Sequence, residues 1–365
     1  MVRVIGHIDL DYFFAQVEEV ENPSIKGRPV AVCVFSGRTK DSGVVSTANY
    51  KAREFGVKSG MPIVLAKRRL EGRDPIMIRM EITKYEAVSE RIMELARSHV
   101  DILEEAGIDE AFFDLTIGSR GDFNSAASVA RKIKETILEG ERLTCSVGLG
   151  RSKAVAKLAS DSAKPGGLMV VSPDSTMAFM GSLNVGNLYG VGPKTVKTLE
   201  GLGIGTIAEL ARADVSLLQD YFGRKLALYL HAAANGEDDD PVEERQEPTQ
   251  FSRIITLKSD TTDAEEAMNQ LTEAADDLRS RLISRKTSFR TLSAIAILTN
   301  LSTKTRSKTF ETPIWDLSIV KNALADLFSQ LSDSADREFR RVGIRLSDLS
   351  ANSDQKSLAE YVGEP

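Results

Sequence analysis

The sequence predicts a multidomain chain of mixed class, an α/β layer followed by a helical segment and then a separate α+β domain. Three observations carry that expectation. Strand-like and helix-like runs alternate over residues 2–167, residues 168–236 are mainly helical, and a fresh strand-and-helix pattern begins at 248. At 365 residues the chain has room for several cores.

The first layer opens with "VRVIGHIDL" (2–10), a nearly unbroken apolar run that reads as a strand buried on both faces. In "YFFAQVEEV", Phe13, Val17 and Val20 recur at helical spacing, which puts Asp9 near a strand-to-helix junction. "RPVAVCV" (28–34) predicts a second strand, and "TANYKAREFG" a short helix stopped by Gly56. Over 81–99, Tyr85, Val88, Ile92 and Leu95 form the apolar stripe of a long helix. "AFFDL", "SAASVARKIKETILE" and "LTCSVGLG" then read as strand, helix and strand, and the helix "KAVAKLASDSAK" stops at Pro165-Gly166-Gly167. Residues 237–247, charged and aperiodic around a proline, read as a linker. The last domain, 248–347, runs β-α-β-β-α-β, an order that makes a four-stranded sheet with its helices on one face. Residues 348–365 are polar and read as a flexible tail.

Composition narrows the classes. The net charge is −6, with acids concentrated in "GEDDDPVEERQEP" (236–248) and in the tail, so the folded segments are less acidic than the total suggests. No stretch approaches a membrane span, and the N-terminus lacks the basic-then-apolar profile of a secretion signal; a cytoplasmic protein is expected. Cys33 and Cys145 lie far apart without metal-ligand spacing and read as core residues in a reducing compartment. His7, His99 and His231 are equally scattered, which argues against a histidine-built zinc site.

The run "AGIDEAFFDL" (106–115) breaks its apolar pattern with Asp109 and Glu110, and "HIDLDYF" places Asp9 where a core strand would not hold an acid. Read alone, each segment is an ordinary solvated strand end. If the two strands are neighbours, three carboxylates converge at one rim of a sheet and need cations to remain ionised together. Two magnesium ions about 4 Å apart suit hard carboxylate ligands and clamp the oxygens of a phosphoryl transfer. A phosphate ligand needs counter-charges, and Thr47, Tyr50 and Arg53, three residues apart, fall on one face of the predicted short helix, with Lys164 as a second cation.

"DLDYFFAQVE", "KGRPVAVC", "SGVVSTANYKAREFGVKSGMP", "GIDEAFFDLT", "SVGLGRSKAVAKLASDSAKPGG" and "GVGPKTVKTLEGLGI" together resemble the signature blocks of Y-family DNA polymerases, the archaeal DNA polymerase IV-like members above all. The resemblance runs in order from residue 2 to about 347. It implies a right-hand polymerase: palm (1–12 and 79–167), fingers (13–78), thumb (168–236) and little finger (248–347). It implies lesion-bypass synthesis on primer-template DNA from deoxynucleoside triphosphates, error-prone and without proofreading, in DNA repair and damage tolerance. Asp9, Asp109 and Glu110 would be the metal ligands, assisted by the Leu10 carbonyl, with two Mg2+ ions or Mn2+ in their place. Tyr50, Arg53 and Lys164, with Thr47 beside them, would hold the triphosphate, and Phe14 stands at the steric-gate position that excludes a 2′-hydroxyl. Gly107 departs from the family in replacing a small hydroxyl residue, and Ala48 and Gly60 suggest a roomy templating pocket.

Beside that resemblance, Gly190-Val191-Gly192 between apolar segments reads as a helix-hairpin-helix that offers backbone N–H groups to DNA phosphate, Lys194 adding charge. In the last domain Arg253, Lys258, Arg290, Lys304, Arg306, Lys308, Arg340, Arg341 and Arg345 fall mainly on strands, predicting a basic sheet face for duplex backbone. In "QKSLAEYVGEP", Gln355, Leu358, Tyr361 and Val362 resemble the peptide that docks on a PCNA-type sliding clamp, with Val362 in place of a second aromatic. The expected protein is a monomer at the nucleoid. A cyclase-like two-metal enzyme would leave the hairpin and basic domain without a role. A non-catalytic scaffold at a clamp would leave the acidic trio unexplained.

Overall fold

The computed structural model describes residues 1–244 and 248–351; the candidate clamp residues Gln355, Leu358, Tyr361 and Val362 lie outside them. The chain divides into two compact units, one built from 1–33, 45–61 and 65–246, the other from 34–44, 62–64 and 247 onward. Among the described residues no helix is long and apolar enough to cross a membrane.

The first unit is organised by a five-stranded sheet. Its order is Ile102–Glu105, Glu110–Asp114, Ile5–Leu10, Cys145–Gly150, Leu168–Val170. Neighbours are antiparallel except the last pair, where Val147 opposes Leu168 in parallel. Strand 2–10 shortens to Ile5–Leu10 and is buried throughout, its polar His7 and Asp9 included. On one face Ile8, Ala111, Phe113, Val147 and Leu149 pack with Tyr85 and Ile92 of helix Ile82–Arg97 and with Ala126, Ala130 and Ile133 of helix Phe123–Glu141. On the other, Ile5 and Phe112 meet Ala156 of helix Lys153–Ser162. That helix lies against the sheet backbone: a Cβ on Gly148 would stand 2.1 Å from the Ala156 carbonyl and 2.2 Å from the Ser160 nitrogen. Leu168–Val170, placed by its sequence with the helical segment, therefore completes this sheet. Strands Ile102–Glu105, Gly43–Ala48 and Ile76–Arg79 had no clear sequence signal; the last pairs in parallel with Val30–Phe35.

Residues 237–244, within the expected linker, pack against the first unit. Asp238 is 7% exposed and accepts from the Ala154 backbone N–H at 3.3 Å, while its carbonyl accepts from Arg3 at 3.0 Å. Val242 joins the cluster of Ile5, Phe112 and Ala156. The Lys153 ammonium lies 2.7 and 2.9 Å from the two Glu104 oxygens and 3.2 Å from Asp240, and the Glu243 N–H donates to Glu104 at 2.9 Å. The segment's backbone carbonyls thus find Arg3, and the Asp240 carboxylate finds Lys153, in the folded chain.

The second unit carries the expected β-α-β-β-α-β domain. Its sheet order is Thr303–Ile314, Thr287–Leu298, Phe339–Ser347, Gln250–Thr261, all antiparallel. The first helix is split into Ala264–Asn269 and Thr272–Ser284, and Lys321–Asp333 is the second. Leu278, Leu282, Leu324, Leu327 and Phe328 cover Leu292, Ala294, Ala296, Val342, Ile344 and Leu346.

Candidate active site

Strand register answers whether the acids meet. Asp9 is the direct partner of Glu110, and the Leu10 N–H donates to the Asp109 carbonyl at 2.8 Å. Asp109 and Glu110 close a hairpin in which the Ala106 and Gly107 N–H groups both donate to the Glu110 carbonyl. A Cβ at Gly107 would stand 3.1 Å from Glu110 Cγ and 3.6 Å from Asp109 Oδ1, so the glycine lets the carboxylates pack close.

Asp9 and Glu110 share a face of the sheet with His7 and meet cations presented by helix Lys153–Ser162 and the turn after it. Lys164 Nζ lies 2.7 Å from Asp9, and Lys157 Nζ 2.5 Å from Glu110. Burial still raises the Asp9 carboxyl to about 6, Lys164 opposing the rise and Asp109 adding to it. Burial, then the Glu110 charge, pushes Asp109 up as well. For Lys164 burial works against the ammonium, but Asp9 and Asp161 outweigh it and hold its pKa above the ordinary lysine value. These are hard oxygen donors short of positive charge, which is the chemistry a divalent cation relieves. Among the described residues no three His, Cys, Asp or Glu side chains are already arranged around one cation position. Two of the three carboxylates are instead turned onto lysines.

His7, Lys157 and Asp11 belong to this neighbourhood and were not singled out from sequence. His7 is fully buried, its Nδ1 2.7 Å from Ser160 Oγ and its Nε2 3.6 Å from Glu110 without a hydrogen bond. Burial first, then Lys157 and Lys164, holds it well below the ordinary histidine value, so it is neutral. The strand period of two from Asp9 back to His7 was the available signal; Lys157 sits one helical repeat of seven before Lys164, and carried no mark of its own.

The triphosphate candidates are only partly on one helix. Asn49 caps the helix Tyr50–Glu54 by accepting from the Ala52 N–H, so Thr47 lies in the preceding strand Gly43–Ala48 and not on the helix face. Tyr50 and Arg53 do sit together, the guanidinium 5.1 Å from the ring centroid and its Nε donating to the Ala48 carbonyl at 2.8 Å. Burial, then Asp11, raises the Tyr50 phenol to about 12, so it stays protonated as a donor. Phe14, 8% exposed in helix Phe13–Glu21, stacks on Tyr85 with ring centroids 4.4 Å apart. Ala48 is buried, and Gly60 has φ +79° with nothing near its Cβ position, so backbone conformation alone requires a glycine there.

Of the nucleic-acid candidates, Gly190, Gly192 and Lys194 are exposed. Gly192 caps helix Pro193–Gly201, but the element before the turn is a single 3-10 turn, Val185–Asn187, rather than a full helix. In the last domain the register splits the basic residues. Arg341 and Arg345 pair with Thr256 and Ser252 on the face opposite the core, whereas Arg253 pairs with the buried Ile344 and shares the helix-side face. Lys304, Arg306 and Lys308 likewise pair with the core residues Ala296, Ala294 and Leu292. Arg340 sits at the irregularity between Phe339 and Arg341, 4.0 Å from Asp260. Of these paired residues, only Arg341 and Arg345 lie on the face opposite the helices, because partner register, invisible in one strand, decides which way each side chain points.

The chain matches the model of the impB/mucB/samB family over residues 8–161, the DNA polymerase-iota thumb domain over 186–238, and the impB/mucB/samB family C-terminal domain over 248–358. It is 41% identical to the DNA polymerase IV of Methanosarcina acetivorans, an alignment that covers 99% of this chain and 100% of that protein. It is 37% identical to the DNA polymerase IV of Nitrosopumilus maritimus over 98% of this chain and 99% of the relative. Among solved structures it resembles the Y-family DNA polymerase chimera Dbh-Dpo4(243-245)-Dbh with a TM-score of 0.89 and 36% identity, covering 96% of this chain and 100% of that one. The insertion ternary complex of Dbh DNA polymerase matches with a TM-score of 0.68 and 36% identity over 94% of this chain and 98% of its own. With catalytic, thumb and C-terminal models matched in order and relatives aligned from end to end, the chain belongs to the Y family of DNA polymerases and is a DNA-directed DNA polymerase.

Proposed function

We propose that the enzyme is a translesion polymerase that extends a primer 3′-hydroxyl with deoxynucleotides, error-prone and without proofreading, on DNA at the nucleoid. The register pairing of Asp9 with Glu110, with Lys164 bonded to Asp9, is the observation that carries the mechanism. Asp9, Asp109 and Glu110, with the Leu10 carbonyl, would hold two Mg2+ ions, Mn2+ substituting. When bound, such ions supply Lewis-acid polarisation of the α-phosphate and neutralise charge on the attacking and leaving oxygens. Lys164 would exchange Asp9 for a phosphate oxygen as the nucleotide enters. Arg53 would bind the same triphosphate bidentately, and the protonated Tyr50 phenol donates to it, with Thr47 at the edge. Phe14 would pack under the deoxyribose and close the space a 2′-hydroxyl needs. Gly190, Gly192 and Lys194 would meet one stretch of DNA backbone, and Arg341 and Arg345, with Arg340 beside them, another. The tail 353–365 would dock on a sliding clamp.

Primer extension by Asp109→Ala and Glu110→Ala proteins tests the mechanism. Loss of three or more orders of magnitude in rate, on the order seen when transition-state charge loses its stabiliser, is expected. Near-wild-type extension by either variant refutes it.

A further inference from the structure

Asp11 lies two residues beyond the proposed metal ligand Asp9, is 1% exposed, and among the described residues forms no ion pair with a lysine or arginine. A buried carboxylate persists only if its oxygens are hydrogen-bonded, and here four donors converge on it. Oδ2 accepts from Thr144 Oγ1 at 2.8 Å and from the Gly166 backbone N–H at 2.9 Å. Oδ1 accepts from Ser146 Oγ at 2.8 Å and from the Tyr50 phenol at 3.4 Å. Two of these donors hold a fixed frame, since Thr144 and Ser146 flank Cys145 at the start of a buried strand. The other two belong to the parts expected to grip the nucleotide: Tyr50 opens helix Tyr50–Glu54, and Gly166 follows Lys164 by two residues, in the turn after helix Lys153–Ser162.

We infer that Asp11 is a positioning residue of the polymerase reaction, a single carboxylate that sets the Tyr50 phenol and the Lys164 turn at a fixed separation for the β- and γ-phosphates of the incoming nucleotide. The inference rests on the reading of Tyr50 and Lys164 as triphosphate ligands. Asp11 touches neither phosphate nor metal in this scheme; it acts through its partners. Its longest contact is the one to Tyr50, which is what a donor that must turn to phosphate requires: held near the site but not tightly bonded. An aspartate is needed because all four partners donate. Asparagine offers one oxygen and one NH2, the hydroxyls of Thr144 and Ser146 can rotate to accept, and the Gly166 N–H cannot. Asp11→Asn with its NH2 toward Gly166 sets two donors against each other; with its NH2 toward Ser146 and Tyr50 it turns the phenol into an acceptor and removes its anionic anchor, so either orientation loosens one arm of the site.

Steady-state insertion of one deoxynucleotide on a primer-template tests this with full-length Asp11→Asn, Tyr50→Phe, the double variant, and Ser146→Ala as a milder change that keeps the carboxylate. Asp11→Asn and Tyr50→Phe should each raise KM for the nucleotide about tenfold, the scale of one lost charge-assisted hydrogen bond, with DNA affinity unchanged. The double variant should fall well short of the product of the two, because both act on one arm. Ser146→Ala should raise KM about two- to threefold and lose that effect in the Tyr50→Phe background. If Tyr50→Phe raises KM while Asp11→Asn and Ser146→Ala do not, or if all effects multiply independently, the inference is overturned and the Tyr50 assignment stands. If Tyr50→Phe leaves KM unchanged, the Tyr50 assignment falls and takes the inference with it. If Asp11→Asn does not fold, Ser146→Ala alone decides between these outcomes.

Discussion

Glu104→Ala should destabilise the polymerase although Glu104 is none of the proposed metal or phosphate ligands. The Lys153 side chain is 4% exposed, and its ammonium is held by both Glu104 oxygens and by Asp240, which is itself 68% exposed. Burial works against that ammonium, and hydrogen bonds to Glu104 and then Asp240 raise its pKa above the ordinary lysine value all the same. Removing one partner of a fully buried pair costs roughly 3–5 kcal/mol, since the other charge is left behind. Glu104 is 26% exposed, so water reaches the vacated side, and a loss of about 2 kcal/mol is expected. In a domain of this size that lowers the melting temperature by roughly 4–8 °C. Lys153→Met removes the charge with its desolvation cost and should lie within about 1 kcal/mol of wild type. The double variant should then resemble Lys153→Met, not the sum of the two. Urea unfolding followed by far-ultraviolet circular dichroism reads all three. A Glu104→Ala loss under about 0.5 kcal/mol, or strict additivity, would refute the reasoning.

Phe14→Ala should raise ribonucleotide over deoxynucleotide insertion, read as a ratio of kcat/KM, by on the order of 100-fold while leaving deoxynucleotide insertion measurable; unchanged sugar selection removes the gate. Replacing both Arg341 and Arg345 by alanine should lower the slope of log affinity for primer-template against log salt by about 2, whereas Lys304→Ala, on the helix-side face, should leave it unchanged. In metal-free protein the Asp9 carboxyl, raised from 3.8 to about 6, favours the folded state most fully below pH 3.8 and loses that contribution as pH rises through 6. Wild type should therefore gain stability over Asp9→Asn on going from about pH 7 to about pH 4.5 in chelator, by about 2 kcal/mol; a drift the other way contradicts the burial argument. Deleting residues 353–365 should reduce synthesis only when clamp is present, and an equal loss without clamp assigns the tail another role.

The acids were legible only in combination: a carboxylate in "GHIDL" or in "GIDEAFF" alone reads as a solvated strand end, but two such apolar strands side by side bring the acids to one rim. The last domain was legible element by element, each strand and helix carrying its own period. What stayed hidden depends on partners far along the chain. Asp11 finds its donors at 144, 146 and 166, and Lys153 its acceptors at 104 and 240. Lys304, Arg306 and Lys308 alternate with threonine and serine, so nothing in their own strand marks the covered face. Thr47 was misplaced by spacing alone, since Asn49 could not be recognised as a cap until the helix start was seen.

The bare backbone contact at Gly148 has a reach beyond packing. Helix Lys153–Ser162 carries Lys157 within it and Lys164 just past its end, and both ammonium groups stand off acids on the very sheet that Gly148 belongs to. With no side chain between strand and helix, nothing local can absorb a change in their separation. One added methyl group there would lift the helix as a body and slacken two ion pairs in a single stroke, so a single hydrogen in place of a side chain acts as the set-screw for the electrostatics of the whole acidic rim.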